Sequence, residues 1–277
     1  MLLSPELISP RNLKRISDAV YQHCGINLHD GKQELVQARL TKLLRHSQYD
    51  SLTDYLDRVL TNPDSDDFSD LIDSLSTNLT SFFRESDHFT YLGRTFLPAL
   101  LARKRAANRA TLRGWSAACS SGEEPYSIAM VVRDVVEAHA GPMAPRILAT
   151  DISHRILRSA RAGVYDRQRA NPVPPNFRRF LTPGARPNTV EPIAEIRQMV
   201  SFAHLNLMEP WPFSGPLDFI FCRNVMIYFD KPTQQRLIAR FYDILDSGGV
   251  LFTGHSESLT GITHRFRYVQ PTIYAKP

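Results

Sequence analysis

Long hydrophobic runs are absent from this chain of 277 residues. No apolar stretch approaches the ~20 residues that a membrane-spanning helix needs. A secretory leader carries basic side chains ahead of a hydrophobic core. The first six residues of this chain contain no basic side chain. We therefore expect a cytoplasmic protein without membrane insertion.

Cysteine is scarce, with Cys24, Cys119 and Cys222 as the whole set. The number is odd and the spacing matches no metal-ligand pattern. We expect reduced, buried thiols and no bound metal.

Glycine-rich phosphate-binding motifs are also missing. A dinucleotide site would show Gly-x-Gly-x-x-Gly after the first strand of its sheet, but residues 117–127 contain only Gly122. No Walker-type lysine follows, which disfavours phosphate binding. The small residues around Gly122 still let a ligand approach the backbone closely, and Pro125 is expected at the first position of the next helix.

Neither a Ser-His-Asp nor a Cys-His arrangement suited to nucleophilic catalysis is evident among the nine scattered histidines. What the chain does have is 43% hydrophobic residues, enough for one large or two smaller domains. Its net charge is +5 and its sequence pI about 9.2. This excess favours acidic partners without singling out nucleic acid.

The first ~90 residues show helical periodicity throughout. Ser9 and Pro10 predict the start of a helix over 10–24. A second helix is predicted over 31–46 and a third after Ser51, and a fourth follows Pro63 and ends near residue 78.

From about residue 110 the pattern changes to strands alternating with helices, which predicts an α/β fold with a doubly wound, mostly parallel sheet. The predicted strands are 111–117, 146–150, 217–222, 249–254 and 267–275. The predicted helices are 86–105, 125–140, 153–162 and 232–246. The last two strands are expected to form an antiparallel edge of the sheet.

Residues 164–205 interrupt this alternation with six prolines and short runs of alternating polarity. We interpret them as a small inserted antiparallel β-subdomain, with a disordered linker as the alternative. The predicted division is thus an N-terminal helical domain over 1–85 and a second domain over 86–277 that carries the insertion.

Polar side chains follow two of the predicted strands. Residues 222–229 read Cys-Arg-Asn-Val-Met-Ile-Tyr-Phe after a buried strand, and Asp151 ends another. Ligands of open α/β sheets bind beyond the carboxyl ends of strands, where an acid can accept hydrogen bonds from ribose hydroxyls. Asp151 has a second interpretation as the N-cap of the helix that starts near Ser153.

Three segments carry a resemblance to a known family: residues 77–85 (Thr-Asn-Leu-Thr-Ser-Phe-Phe-Arg-Glu), 117–127 (Ala-Ala-Cys-Ser-Ser-Gly-Glu-Glu-Pro-Tyr-Ser) and 222–229. With them, nearly the whole chain resembles the chemotaxis receptor glutamate O-methyltransferases. The resemblance implies a Rossmann-like class I methyltransferase fold and S-adenosylmethionine as cofactor, with S-adenosylhomocysteine as product. It also implies methylation of glutamate side chains in membrane chemoreceptors.

The positions that match the family's motifs indicate which residues of this chain would form its site. Arg84 and Tyr228 are expected to orient the glutamate that receives the methyl group. The implied cofactor contacts are Asn78, Thr80, Arg84, Glu124, Asp151, Asn206, Leu207, Arg223 and Asn224. For single residues the sequence leaves structural alternatives, such as a helix C-cap for Asn78, a surface ion pair for Arg223 and ordinary core for Leu207.

A basic ridge on the second predicted helix is the expected receptor contact. Arg39, Lys42 and Arg45 recur every three residues, a spacing that places them on one helix face, and Lys32 precedes them. Leu43 interrupts the ridge where relatives can carry another arginine. Without the resemblance, a solvated helix face is the alternative.

A second basic tract leads into the insertion, with seven arginines between residues 155 and 179 against one acid, Asp166. It lacks the interleaved aromatics of a stacking nucleic-acid surface, so we expect no nucleic-acid partner. We also expect a monomer. Whether a receptor tail binds the insertion as an added strand stays open at this point.

Two other functions compete. A nucleic-acid N-methyltransferase would carry an Asn/Asp-Pro-Pro-Tyr/Phe motif to hold a flipped base, where this chain has Cys-Arg-Asn-Val at 222–225. The other alternative is a non-catalytic module that binds cofactor or receptor. The presence of Arg84 and Tyr228 argues against this interpretation.

Overall fold

The N-terminal region is a packed set of helices. The computed structural model describes residues 8–28, 33–45, 49, 51–63, 65–76, 78–139 and 143–277. The first four helices are α1 (Pro10–Cys24), α2 (Gln33–Leu44), α3 (Leu52–Val59) and α4 (Asp66–Leu75). They share a core of buried aliphatic and aromatic side chains that includes Ile16, Leu56 and Leu71.

Serine caps fix where three of these helices begin. The side chains of Ser9, Ser51 and Ser65 each accept a hydrogen bond from the backbone N–H three residues on. The predicted bounds of α1 are confirmed, and Gly25, with φ of 74°, ends that helix. Helix α4 ends at Leu75, before the predicted residue 78, because Ser76 takes an extended conformation. Residues 31, 32 and 46, predicted to belong to α2, lie outside the described residues.

The rest of the chain forms a twisted α/β sheet with helices on both faces. Its helices are α5 (Ser86–Tyr91), α6 (Leu97–Ala106), α7 (Glu123–Ala138), α8 (His154–Ala162), α9 (Ala194–Gln198) and α10 (Lys231–Ile244). Helices α5 and α6 are joined by a π-helical turn over Leu92–Phe96.

Ten strands build two sheets. The strands are β1 (Thr111–Ala117), β2 (Ala144–Asp151), β3 (Tyr165–Asp166), β4 (Leu181–Pro183), β5 (Thr189–Pro192), β6 (Val200–His204), β7 (Leu217–Cys222), β8 (Leu245–Thr253), β9 (Arg267–Gln270) and β10 (Ile273–Ala275). The main sheet has the order β6-β2-β1-β7-β8-β10-β9, and its first five strands are parallel. The predicted α/β class with a mostly parallel sheet is confirmed.

The main sheet ends in a hairpin. The prediction of one strand over 267–275 is wrong, because the chain reverses at Thr272, whose φ is 60°, and forms β9 and β10. Strand β10 pairs antiparallel with both β8 and β9. The expected antiparallel edge is therefore present, but the hairpin supplies it.

The insertion is an ordered three-stranded antiparallel sheet in the order β3-β5-β4. The alternative of a disordered linker is wrong. The insertion is also shorter than the predicted 164–205, because β6 pairs in parallel with β2 and so belongs to the main sheet. The division into domains at residues 85 and 86 stays a prediction.

No helix among the described residues is both long enough and apolar enough to cross a lipid bilayer.

Candidate active site

A cleft opens beyond the carboxyl ends of β1, β2 and β7, between these strands and the N-terminal helices. Its cavity volume is about 120 Å³, and the cleft is open to solvent. Its lining residues are Ile26, Leu28, Leu35, Leu75, Ser76, Asn78, Leu79, Thr80, Arg84, Ala118, Cys119, Ser120, Glu124, Asp151, Ile152, Arg223, Asn224, Val225 and Tyr228. Three separate stretches predicted from sequence, near residues 80, 120 and 225, thus meet in one place.

The loop between β1 and α7 brings its backbone close to the cleft. Ala118, Ser120 and Gly122 all have positive φ, at 63°, 49° and 95°. At Gly122 a side chain would also collide, because a Cβ would lie 2.8 Å from the Tyr165 hydroxyl. Helix α7 begins at Glu123, so the prediction that Pro125 occupies its first position is wrong by two residues.

Asp151 is buried at the end of β2 and is held by backbone N–H groups. Its Oδ2 accepts from Ser120 N at 2.8 Å and its Oδ1 from Ser153 N at 3.0 Å. The N-cap interpretation is wrong, because the side chain of Ser153 caps α8 by accepting from Ile156 N. Burial raises the pKa of Asp151 to about 6, although the backbone hydrogen bonds oppose the rise. Each carboxylate oxygen has a second acceptor position, so Asp151 can still accept from a ligand hydroxyl.

Arg223 lies at the centre of a buried ion-pair cluster. Its guanidinium contacts Glu85 at 2.9 Å and Glu124 at 3.1 Å, and it donates to the carbonyl oxygen of Arg84. The side chain of Arg223 is 1% exposed, so the surface ion-pair interpretation is wrong. Ser116 Oγ also donates to Glu124 at 2.7 Å.

The two glutamates respond differently to their shared partner. Burial raises the pKa of Glu124, and Arg223 offsets only part of this rise. Burial also pushes the pKa of Glu85 upward, but there Arg223, together with hydrogen bonds from the backbone of His255 and the side chain of Asn224, lowers the pKa below its ordinary value. The cluster therefore binds its arginine tightly to Glu85 and leaves Glu124 the more readily protonated group.

Arg84 differs from Arg223 in forming no ion pair among the described residues. Its Nη1 donates to the carbonyl oxygen of Leu79 at 2.8 Å, and within the described part of the chain no carboxylate lies within ion-pair distance of its guanidinium. The backbone around it is constrained, because Phe83 and Glu85 have positive φ. Phe83 is fixed by a 3.0 Å hydrogen bond from its N–H to Ser127 Oγ and by stacking on Phe177 of the insertion.

Glu257 is a residue that the sequence analysis missed. It is buried just after β8 and accepts from the N–H groups of Asn224, Ile227 and Gly254 at 2.7, 3.2 and 2.6 Å. It therefore holds the 222–228 loop in shape. The signal was available, since an acid four residues beyond a buried strand obeys the same carboxyl-end rule that identified Asp151.

Tyr228 connects the loop to the N-terminal helices. It ends the short 3₁₀ turn Met226–Tyr228, lines the cleft, and accepts at its carbonyl oxygen from Asn27 N at 2.8 Å. The Tyr21 hydroxyl also donates to Asp230 at 2.7 Å. These contacts hold the last turn of α1 and the segment after it against residues 228–230.

Seven of the nine predicted cofactor contacts line the cleft, and two do not. Asn206 is buried outside the lining and donates from Nδ2 to His23 O at 2.6 Å. Leu207 is buried, and its carbonyl oxygen accepts from Trp211 Nε1 at 3.3 Å. Cofactor contact by Asn206 and Leu207 stays a prediction.

Two family models match the chain. "CheR methyltransferase, all-alpha domain" covers residues 11–76, and "CheR methyltransferase, SAM binding domain" covers residues 78–275. The chain belongs to the CheR methyltransferase family. Similar proteins named chemotaxis protein methyltransferase come from Borreliella burgdorferi, at 38% identity over 97% of this chain and 95% of the relative, and from Escherichia coli, at 40% over 97% and 91%. A third, chemotaxis protein methyltransferase 2 from Pseudomonas aeruginosa, is 40% identical over 95% and 92%.

The cleft of this CheR family member fits S-adenosylmethionine. The cofactor carries a ribose, an ammonium and a carboxylate but no phosphate, and the described lining offers two acids, Asp151 and Glu124, and no lysine. Of its two arginines, Arg223 is already paired with glutamates. Ala118 and Ser120 line the cleft with small side chains, so a ligand can come close to the backbone of that loop.

The expected receptor-binding ridge of the CheR family member is only partly exposed. Arg39 donates to the carbonyl oxygens of Leu75 and Ser76. It therefore supplies hydrogen bonds to carbonyl groups at the end of α4 that have no donor within the helix. Lys42 on α2 and Arg45, which directly follows the helix, remain exposed. Lys32, the fourth cation of the predicted surface, lies outside the described residues.

Proposed function

We propose that this chain transfers a methyl group from S-adenosylmethionine to glutamate carboxylates of membrane chemoreceptors. The products are glutamate 5-O-methyl esters and S-adenosylhomocysteine. The observation that carries the proposal is the Arg84 guanidinium, a cation with no carboxylate partner among the described residues, in a cleft whose other arginine is paired with two glutamates. The names of the CheR relatives support a role in chemotaxis.

The cleft residues divide into groups that hold the cofactor and groups that meet the acceptor. Asp151 is suited to the ribose hydroxyls, because its carboxylate is fixed at the end of β2. Glu124 is suited to an ammonium or a hydroxyl. When bound, S-adenosylmethionine supplies a methyl group on a positively charged sulfur that is an excellent leaving group.

A glutamate acceptor needs no general base. Its reference pKa is about 4.3, so it is ionised at neutral pH. In keeping with this, no histidine is found among the described residues that line the cleft. The remaining task is to remove water from the carboxylate and align it. Arg84 offers planar donors for this purpose, and Tyr228 offers a hydroxyl on a rigid ring in the same cleft.

The decisive experiment combines labelled S-adenosylmethionine with chemoreceptor-containing membranes. We expect label on the receptor that alkali releases, because carboxyl methyl esters hydrolyse in base. Alkali-stable label on nucleic acid would favour the N-methyltransferase alternative. Cofactor binding without any transfer would favour the non-catalytic module.

Charge reversal on α2 tests the receptor surface. We expect the Lys42→Glu/Arg45→Glu variant to raise the KM for receptor about 10-fold at low salt, because two attractive contacts become repulsive. The difference from wild type should shrink near 0.5 M salt, where screening acts within about 4 Å. The measurement is receptor methylation against receptor concentration at both ionic strengths.

A matched control is available at the opposite end of the sheet. Arg113 and Arg146 are exposed neighbours in the register of β1 and β2, so the Arg113→Glu/Arg146→Glu variant changes net charge by the same amount far from the cleft. It should leave KM near the wild-type value. An equal rise in both double variants would show that total charge, not the α2 surface, governs binding.

A further inference from the structure

Two histidines and a glutamate meet at the start of α5, outside the lining of the cleft. Glu85 immediately precedes α5, His88 belongs to its first turn, and His255 follows β8. One ligand atom from each of these side chains lies within 4.8 Å of the other two. No spacing in the sequence indicated this group, because His255 lies 168 residues beyond Asp87. We name Glu85, His88 and His255 the His-Glu cluster.

The hydrogen on the neutral His88 ring is fixed on Nε2. This nitrogen lies 2.8 Å from Thr272 Oγ1, and the Thr272 hydroxyl already donates its hydrogen to the carbonyl oxygen of Pro271 at 2.6 Å. Thr272 Oγ1 must therefore accept, so Nε2 of His88 is the donor. The other ring nitrogen, Nδ1, is then an acceptor with an open lone pair.

The open lone pair of His88 lies close to a carboxylate oxygen. The His88 side chain is fully buried, and its Nδ1 has no hydrogen-bond partner among the described residues. This atom lies 3.6 Å from Glu85 Oε2. Burial lowers the pKa of His88 to about 4, so no proton lies between the two atoms at neutral pH. A buried acceptor without a partner is costly, and a cation beside Nδ1 would satisfy it.

The ligand types and their spacing suit a zinc ion. Histidine nitrogens and a carboxylate oxygen form three-ligand zinc sites that keep a fourth position open. With metal–ligand distances of about 2.0–2.1 Å, neighbouring tetrahedral ligands lie about 3.4 Å apart, close to the 3.6 Å between His88 Nδ1 and Glu85 Oε2. The His255 side chain is 50% exposed, so its ring has room to turn and an ion can enter from solvent.

The charges around the His-Glu cluster favour a divalent cation. Asp87 Oδ1 lies 3.1 Å from His255 Nε2, and a carboxylate hydrogen-bonded to a ligating histidine orients its ring and raises its basicity. Glu85 and Glu124 share one arginine, Arg223. Because the histidines are neutral, these three carboxylates carry more negative charge than Arg223 balances.

We propose that the His-Glu cluster binds a divalent transition-metal ion, with Zn²⁺ as the best fit, and that the bound ion weakens the ion pair between Glu85 and Arg223. Glu85 Oε2 serves both partners, since it lies 2.9 Å from Arg223 Nη2 and 3.6 Å from His88 Nδ1. The ion draws charge from that oxygen and adds positive charge beside the guanidinium. It takes no part in methyl transfer and acts as an inhibitor from outside the cleft.

Direct binding tests the metal site. Chelator-treated protein, titrated with zinc chloride against a chromophoric chelator, should bind one tight equivalent. His88→Gln keeps an amide near Thr272 but removes Nδ1, and we expect it to weaken zinc binding about 100-fold or more. His255→Ala should do the same. Asp87→Asn, which removes only the outer carboxylate, should cost about 10-fold.

A matched control is His139→Ala, because His139 is an exposed histidine at the end of α7. It should bind zinc as tightly as wild type. Equal zinc affinity in wild type and His255→Ala would overturn the site, as would a wild-type protein without a tight equivalent. His255 is half exposed, so this comparison remains available even if His88→Gln does not fold.

Cofactor binding tests the link to Arg223. Saturating zinc should raise the Kd for S-adenosylmethionine about 5-fold in wild type and leave it unchanged in His255→Ala, and the cofactor should weaken zinc binding by the same factor. A Kd that bound zinc does not alter would overturn the link. Both measurements are independent of the acceptor, so a receptor without base-labile label would overturn the proposed function and leave the metal site standing.

Discussion

Replacement of Arg84 by alanine is expected to lower the turnover number of receptor methylation by about 100-fold or more, on the scale of losing one preorganised electrostatic group. The reason is the contrast between the two arginines of the cleft. Arg223 is fixed between Glu85 and Glu124, whereas Arg84 donates only to the carbonyl oxygen of Leu79 among its described contacts. Arg84 therefore keeps donors for an incoming carboxylate.

The Arg84→Lys variant separates charge from shape. Lysine keeps the positive charge but loses the planar pair of donors, so we expect it to recover only part of the loss. The Kd for S-adenosylmethionine, measured by calorimetry for both variants, shows how much of the defect arises from cofactor binding. Full activity of Arg84→Ala with a normal Kd would remove Arg84 from the chemistry.

Local rules predicted much of the fold. Serine caps, Gly25 and hydrophobic periodicity placed α1 to the residue, because these signals act within one turn of chain. The alternation of strands and helices predicted a mostly parallel sheet, because each strand and helix is also recognised from its own short stretch of sequence. The hairpin at Thr272 was missed, since a threonine with positive φ carries no turn signal of the kind that glycine gives.

The site was predictable to the extent that it follows strand ends. Residues near 120, 151 and 225 meet in the cleft as expected, because the carboxyl ends of parallel strands share one edge. Residues near 80 follow no strand, and only the family resemblance predicted that they belong to the site. What sequence did not reveal are choices among tertiary partners. Arg39 binds carbonyl oxygens of α4 instead of facing solvent, and Asn206 binds His23.

The same dependence on tertiary partners explains why the sequence did not reveal the roles of Arg223 and Glu257. Spacing alone does not distinguish an exposed arginine from one enclosed by two glutamates that lie 138 and 99 residues away. Glu257 organises the 222–228 loop from 33 residues beyond Asn224. Both residues act by shaping the cleft, and their importance becomes visible only when the strands are assembled.

Replacement of Arg223 by methionine is expected to destabilise the protein by about 3–5 kcal/mol, the usual cost of leaving buried charges without a partner. Glu85 and Glu124 would then face each other without a cation. The free energy of unfolding, measured by chemical denaturation, should fall accordingly. The 222–228 loop should lose its link to the carbonyl oxygen of Arg84, so the Kd for S-adenosylmethionine should rise as well.

The pH dependence of the stability loss in the Arg223→Met variant identifies the cause of that loss. Without Arg223, burial and mutual repulsion raise the folded-state pKa of both glutamates above the unfolded value of about 4.3. Groups raised in this way keep their stability at low pH and lose it as pH rises through the folded pKa. The deficit relative to wild type should therefore be smaller near pH 5 than near pH 8. The Arg223→Met/Glu85→Gln/Glu124→Gln variant, which removes all three charges, should recover stability at pH 8. A deficit that is equal at both pH values and unchanged in the triple variant would mean that lost packing, not unpaired charge, destabilises the protein.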